Sequence, residues 1–178
     1  MENSISPKLK HIVITGPEST GKTMLCEKLA RHYRTVFIPE YARNYILALD
    51  KPYTYDDVLH IAGKQVELVG EYTKKANDIL FYDTYLMITK VWFDVVFDKH
   101  PQWLDVILFE NTIDLYLLCA PDIPWIPDPV RENGGKMRDV LFRRYLTELN
   151  DHHCEYQIIK GKNRFETAVG YINKILNA

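Results

Sequence analysis

Eight consecutive residues, Gly16-Pro17-Glu18-Ser19-Thr20-Gly21-Lys22-Thr23, fit the spacing G-x-x-x-x-G-K-[ST]. Glycines at both ends let the backbone turn tightly, so that successive N–H groups point inward and form an anion nest. The positive end of a following helix adds to it. Lys22 is placed to bridge the outer phosphates of a nucleoside triphosphate, and the Thr23 hydroxyl to take a Mg²⁺ position. At ~7% glycine usage a chance match arises on the order of once per hundred chains of this length. The context lowers that further, because the apolar run HIVIT precedes the match and an amphipathic segment beginning Met24-Leu25 follows it. Gly16, Glu18, Ser19, Thr20, Gly21, Lys22, Thr23 and Met24 are therefore the expected contacts for ATP, with Mg²⁺ as cofactor.

What is done with the nucleotide depends on other residues. A GTPase needs a base-reading N-K-x-D and a D-x-x-G switch, and ILFYDTYL offers neither; a machine-type ATPase usually ends that strand in an acidic pair, whereas Asp83 is followed by Thr84. What remains is transfer of a phosphoryl group to a bound acceptor, a chemistry of positioning and charge neutralisation. Glu40, in FIPEYAR, stands at the carboxyl end of a strand, where α/β sheets bind ligands, and can take the acceptor's proton. The plainer use of such a residue is as a solvated glutamate at a helix start. Asp83 ends a buried run, where a charge is costly unless it is paired or holds a metal through water; a helix N-cap is its plainer use. The two carboxylates can exchange roles on these grounds.

Cationic help is expected from Arg131, near Asp128 in PDPVREN, closing over the transferred group unless it is only a surface arginine. Arg43 points to the same crevice, or forms a structural ion pair. Tyr41, Tyr45, Trp92 and Trp125 can stack on a heteroaromatic or cationic acceptor, although core packing is the commoner use of such rings. Gln65 can bond an amide or a ribose hydroxyl. His152-His153-Cys154 lacks a second cluster at zinc-ligand spacing and reads as a solvated helix end.

These residues need a scaffold. Five short apolar runs, 11–15, 35–39, 79–83, 114–119 and 156–160, read as buried strands. Helical periodicity covers 22–33, 41–49, 55–77, 84–98, 137–151 and 164–176. The alternation predicts an α/β three-layer fold with a mainly parallel sheet covered on both faces. Residues 120–135, with four prolines and two glycines, can be neither helix nor central strand, and a loop of that length suits a lid.

Composition sets outer limits. With 47% hydrophobic and 26% charged residues the chain should fold, and its 178 residues suit a single domain spanning 1–178. A net charge of −2 gives no nucleic-acid footprint or basic membrane surface, so a small molecule is the expected partner. The three cysteines, Cys26, Cys119 and Cys154, are widely spaced in apolar surroundings, which fits a reducing compartment. There is no membrane-length apolar run and no signal-peptide core, so a cytoplasmic protein is expected.

The stretches GPESTGKT, PEYAR, YDTYLMITKVW and YLLCAPDIPWIPDPVREN together resemble the kinase domain of NadR-type proteins, the ribosylnicotinamide kinases, from about residue 10 to about residue 175. The phosphate loop is shared by many families; the combination of the other three is much more specific. The resemblance implies a P-loop nucleoside kinase with strand order 2-3-1-4-5, which phosphorylates the 5′-hydroxyl of nicotinamide riboside at the expense of ATP. By position it implies acceptor-side roles for Glu40 and Tyr41, a third-strand motif at Asp83 and Thr84, and a lid at Trp125, Asp128 and Arg131. PEYAR also looks like the P-E-P-V-A-R of deoxynucleoside kinases, whose glutamate is the base, and this favours Glu40 for that role. Full-length NadR proteins carry an adenylyltransferase domain and, in some bacteria, a helix-turn-helix, for which this chain has no length. A deoxynucleoside kinase and an ATP-binding regulatory module are the competing expectations, and the oligomeric state is open.

Overall fold

The computed structural model describes residues 8–110 and 112–177. Strands β1 (Lys10–Thr15), β2 (Phe37–Ile38), β3 (Ile79–Asp83), β4 (Leu115–Cys119) and β5 (Tyr156–Ile159) alternate with helices α1 (Lys22–His32), α2 (Tyr41–Leu47), α3 (Tyr55–Thr73), α4 (Leu86–Phe97), α5 (Gln102–Glu110), α6 (Lys136–Asp151) and α7 (Arg164–Leu176). All pairings are parallel and the order is β2-β3-β1-β4-β5, as expected. Parallel neighbours require crossovers, so helices cover both faces and the central strands are apolar throughout.

Within those runs the two-residue period of a strand still sorts side chains. Val13, Leu80, Tyr82, Tyr116 and Leu118 face one cluster, with Val58 of α3, Leu86 and Phe93 of α4 and Leu141 of α6. Ile12, Ile14, Phe81 and Leu117 face the other, with Leu25 and Leu29 of α1 and Ile172 of α7. Each fully buried aliphatic or aromatic side chain contributes roughly 1.5–3 kcal/mol of transfer free energy.

Local chemistry sets the helix ends. Thr54 and Asp57 form a capping box at the start of α3, the Thr54 N–H donating to Asp57 Oδ2 at 2.7 Å. The helix expected over 55–77 stops at Thr73, and the N–H groups of Lys75 and Ala76 turn back onto the Tyr72 carbonyl. The one expected over 84–98 begins at Leu86, because Thr84 has a φ of 67° and cannot be helical. The segment expected over 41–49 ends at Leu47, and the strand expected over 35–39 shrinks to Phe37–Ile38, since Pro39 has no N–H for the ladder.

Helix α5 is an addition to the expected set. It is nine residues long, starts just after Pro101, and buries Leu104 and Leu108 one turn apart. Its end covers His152: Phe109 meets that ring edge-on at 5.5 Å. The reading of His152-His153-Cys154 as a solvated helix end is thereby corrected, because His152 and Cys154 are buried and only His153 is exposed. All three cysteines are free and buried. Residues 120–135 contain no helix or strand, and among the described residues no helix is long and apolar enough to cross a membrane.

Candidate active site

The loop after β1 is built by backbone conformations that few side chains permit. Gly16 has φ 136°, and a Cβ there would lie 2.5 Å from the Cys119 carbonyl oxygen, so only glycine lets the loop pass β4. Gly21, at φ 78°, opens α1, and Ser19 is also left-handed at φ 55°. The Thr20 hydroxyl and the Lys22 ammonium both donate to the Pro17 carbonyl at 2.8 Å, folding the loop around its own centre. Lys22 stands on the first residue of α1, at the positive helix end, where a cation belongs only if an anion is to join it.

At the base of the loop the Thr23 hydroxyl donates to Asp83 Oδ2 at 2.6 Å. Asp83 is 2% exposed and its other oxygen, Oδ1, has no partner among the described residues. Burial pushes the Asp83 carboxyl up, against the pull of the Thr23 hydrogen bond and the Lys22 charge. A buried carboxylate oxygen left without a donor, beside a threonine hydroxyl, is an all-oxygen set that suits Mg²⁺ held partly through water. The residues present therefore fit that ion.

Glu40 is the N-cap residue of α2 but makes no capping hydrogen bond, so it does not serve the helix start. Its side chain lines the same cleft as Lys22. Burial pushes its carboxyl up; Lys22 and Arg43 pull it down, and Asp83 and Glu18 push it further up.

The cleft has a volume of about 560 Å³ and runs from the phosphate loop past Glu40 to a far end lined by Tyr53, Gln65, Thr89 and Trp92. Gln65 is 5% exposed, and its Oε1 accepts from the Thr89 hydroxyl at 2.8 Å, which turns the amide NH₂ to other partners. Met24, exposed as it is, lines the nucleotide end.

Residues 126–133 lie across the opening, tied down on both sides. On the nucleotide side the Ile126 N–H donates to Ser19 Oγ at 3.0 Å, and the Asn133 backbone and side-chain N–H groups donate to Glu18 at 3.0 and 3.1 Å. On the side of α2, Arg43 pairs with Asp128, and the Tyr53 hydroxyl donates to Glu132 at 3.2 Å. Glu18 thus holds the lid through Asn133, and Arg43 and Asp128 form the ion pair that was the plainer reading of Arg43. Arg131 lines the cleft, with its guanidinium donating within the lid to the Ile126 carbonyl.

Four of the expected contacts, Tyr41, Tyr45, Trp125 and Asp128, lie off the cleft wall. Tyr41 bonds His60 at 3.0 Å and Tyr45 donates to Asp57 at 2.9 Å, both rings lying on the outer surface where α2 meets α3. Trp125 packs against Gly134 and the Arg138 guanidinium, 5.8 Å from its ring centre. Asp128 is occupied by Arg43 and the Val130 N–H. In each case a neighbouring polar or cationic group claims the side chain first.

Sequence reasoning missed Arg138 and Arg164. Arg138 donates to the carbonyls of Ile123 and Ser19 at 3.0 and 2.9 Å, and Arg164 to those of Thr20 and Ala120 at 3.1 and 2.9 Å, so the loop's outward carbonyls are capped by guanidinium groups. A signal existed: both arginines stand in the first turn of a helix, where the dipole disfavours a cation. Tyr53 and Asn133 had no comparable local signal.

A parallel sheet in the order 2-3-1-4-5, with an anion-binding loop after its first strand and a lid across the strand ends, defines a P-loop protein of nucleoside-kinase-like fold. The chain belongs to the family described as an AAA domain, which matches residues 11–166. It is 26% identical over 157 residues to the trifunctional NAD biosynthesis/regulator protein NadR of Salmonella typhimurium, covering 85% of this chain and 38% of that protein. The chain thus spans well under half of that relative's length. A solved structure of NadR in complex with NR superposes with a TM-score of 0.81 at 22% identity, covering 96% of this chain and 52% of that one. A deoxyadenosine kinase from M. mycoides with bound dATP shares the fold at TM-score 0.64 and 14% identity, covering 92% and 99% of the two chains.

Proposed function

We propose that this chain is a single-domain, Mg-ATP-dependent kinase that phosphorylates the 5′-hydroxyl of nicotinamide riboside, giving nicotinamide mononucleotide. The observation that carries the reading is one cleft with Lys22 and the phosphate loop at one end, Glu40 beside them, and an aromatic and amide-lined end beyond. The resemblance to NadR supports the acceptor. Three free, buried cysteines support a cytoplasmic setting.

In this mechanism the loop N–H groups and Lys22 cradle the triphosphate. Mg²⁺, when bound at Thr23 and Asp83, neutralises phosphate charge. Glu40 takes the proton of the acceptor hydroxyl, whose oxygen forms the new bond to the γ-phosphorus while the bond to the bridging oxygen breaks and ADP leaves. Arg131 swings from its lid carbonyl to the transferred group, and the Gln65 amide and Trp92 ring receive the acceptor's carboxamide and pyridinium.

Two other readings have a specific observation behind them. The likeness of fold to deoxyadenosine kinase favours a deoxynucleoside acceptor. The family's description as an AAA domain favours an ATPase with no nucleoside acceptor, against which stands Thr84 in place of a second acidic residue after Asp83. The test is ADP release from Mg-ATP by the purified protein alone, with nicotinamide riboside, and with the common deoxynucleosides. Strong stimulation by nicotinamide riboside with formation of the mononucleotide is expected. Stimulation only by a deoxynucleoside replaces the substrate, and turnover indifferent to every nucleoside overturns the kinase.

A further inference from the structure

Branching at Cβ makes the left-handed backbone region especially unfavourable. Thr84 nevertheless has φ 67°, and the other non-glycine residues with positive φ among the described residues, Ser19, Arg34, Asp98 and His153, are all unbranched at that carbon. The Thr84 N–H donates to the Ile14 carbonyl at 3.0 Å, so the ladder to β1 continues to this residue before the chain swings away to α4. A glycine would take the same bend without steric conflict. The bend alone therefore does not account for a threonine side chain.

What that side chain meets is the cleft. Thr84 is 5% exposed and lines it together with Lys22, Glu40, Gln65 and Thr89. Register gives its position: Ile38 pairs with Tyr82, and Ile14 with Asp83. Glu40 follows β2 by two residues, Thr15 follows Ile14 directly and Thr84 follows Asp83, so all three stand at the carboxyl ends of adjacent strands. Because β3 lies between β2 and β1, Thr84 follows the strand that separates the proposed base from the phosphate loop.

We propose that Thr84 is an acceptor-binding residue, whose hydroxyl hydrogen-bonds the sugar end of the nucleoside and holds the hydroxyl to be phosphorylated between Glu40 and the loop. This rests on the kinase reading above. A site that hydrogen-bonds a substrate in this way retains a strained residue at the expense of stability.

The experiment compares Thr84→Gly, Thr84→Val and Thr84→Ser with wild type, using the nucleoside that wild type accepts and varying ATP separately, alongside thermal unfolding. Thr84→Gly and Thr84→Val are expected to lose about 10- to 100-fold in kcat/KM for the nucleoside, as for one lost hydrogen bond to a polar ligand, with KM for ATP within about twofold. Thr84→Ser, which keeps the hydroxyl, should retain most of the activity, and Thr84→Gly should unfold at or above the wild-type temperature. Wild-type kinetics in Thr84→Gly or Thr84→Val would overturn the assignment, as would a loss shared equally by Thr84→Ser or a change confined to KM for ATP. Those results leave the kinase reading intact, whereas a wild type that phosphorylates no nucleoside removes both.

Discussion

Thr23 donates its hydroxyl to Asp83 at 2.6 Å and so joins the first turn of α1 to the end of β3. The bond satisfies one carboxylate oxygen and leaves the other, Oδ1, buried without a partner among the described residues. Replacing Asp83 by Asn removes the negative charge at little change in shape. Mg²⁺-dependent turnover should fall by roughly 10- to 100-fold, the range for disturbing a metal-orienting group. The thermal midpoint should hold or rise, because a buried charge is removed. A magnesium titration of activity paired with thermal unfolding checks both, and an unchanged magnesium dependence would take Asp83 out of the metal site.

Glu40 carries a pH prediction. Burial, with Asp83 and Glu18 nearby, raises its carboxyl above the ordinary value despite Lys22 and Arg43. The base is active when deprotonated, so kcat/KM should fall as pH drops through this raised value, at higher pH than for an ordinary glutamate. Glu40→Gln should lower kcat by roughly 10²- to 10⁴-fold and flatten that limb. Since the folded state favours the protonated form, ionised Glu40 costs stability above its folded pKa, and Glu40→Gln should not lower the midpoint at neutral pH. Persistence of the acid limb in the variant would pass the base role to Asp83 or solvent.

Gly16→Ala tests the loop's geometry. Its Cβ would meet the Cys119 carbonyl oxygen at 2.5 Å, and φ 136° is a region for glycine alone. A backbone oxygen cannot move aside as a flexible side chain can, so a loss of at least ~2 kcal/mol in denaturant unfolding is expected. A change within about 0.5 kcal/mol, the level of ordinary surface substitutions, would contradict the close approach.

A cluster centred on Lys90 ties α4 to α6. The Lys90 ammonium donates to Glu148 at 3.0 Å and Asp94 at 3.3 Å, with its side chain only 8% exposed. Lys90→Ala leaves carboxylates facing one another and should cost about 1–3 kcal/mol, the range for leaving hydrogen-bonded charged groups without their partner. His100 contacts Asp94 at 2.5 Å through one ring nitrogen and Asp105 at 2.8 Å through the other, which calls for the imidazolium. Burial works against that charge, but the hydrogen bonds to Asp105 and Asp94 outweigh it and raise the pKa above 6.5. Its stabilising contribution is therefore complete below pH 6.5 and lost as pH rises through the folded value. His100→Gln should remove that part of the stability–pH profile, and an unaltered profile would refute the bridging role.

Residues 16–23 were legible because everything they need is local: glycine conformations, an apolar strand before them and a helix after. The sheet order came from the resemblance, and the alternation of apolar runs with helical periods supplied the layers. Helix α5 escaped notice, since its short apolar run, with Leu104 and Leu108, is hard to tell from other buried segments until α4 and α6 are in place around it.

The lid shows where such reasoning stops. Prolines at 121, 124, 127 and 129 exclude regular structure from the sequence alone. Which residues tie it down depends on pairs far apart in the chain, Glu18 with Asn133 and Arg43 with Asp128. Likewise Tyr41 and Trp125 were expected at the cleft, and packing gave places on its wall to Tyr53 and Thr84 instead. The amino-acid sequence by itself determined the phosphate loop and the layered α/β plan, because short-range sterics and hydrophobic period act within a few residues. Only the tertiary structure decided which side chains face the cleft, because that depends on which neighbour across the fold claims each polar group first.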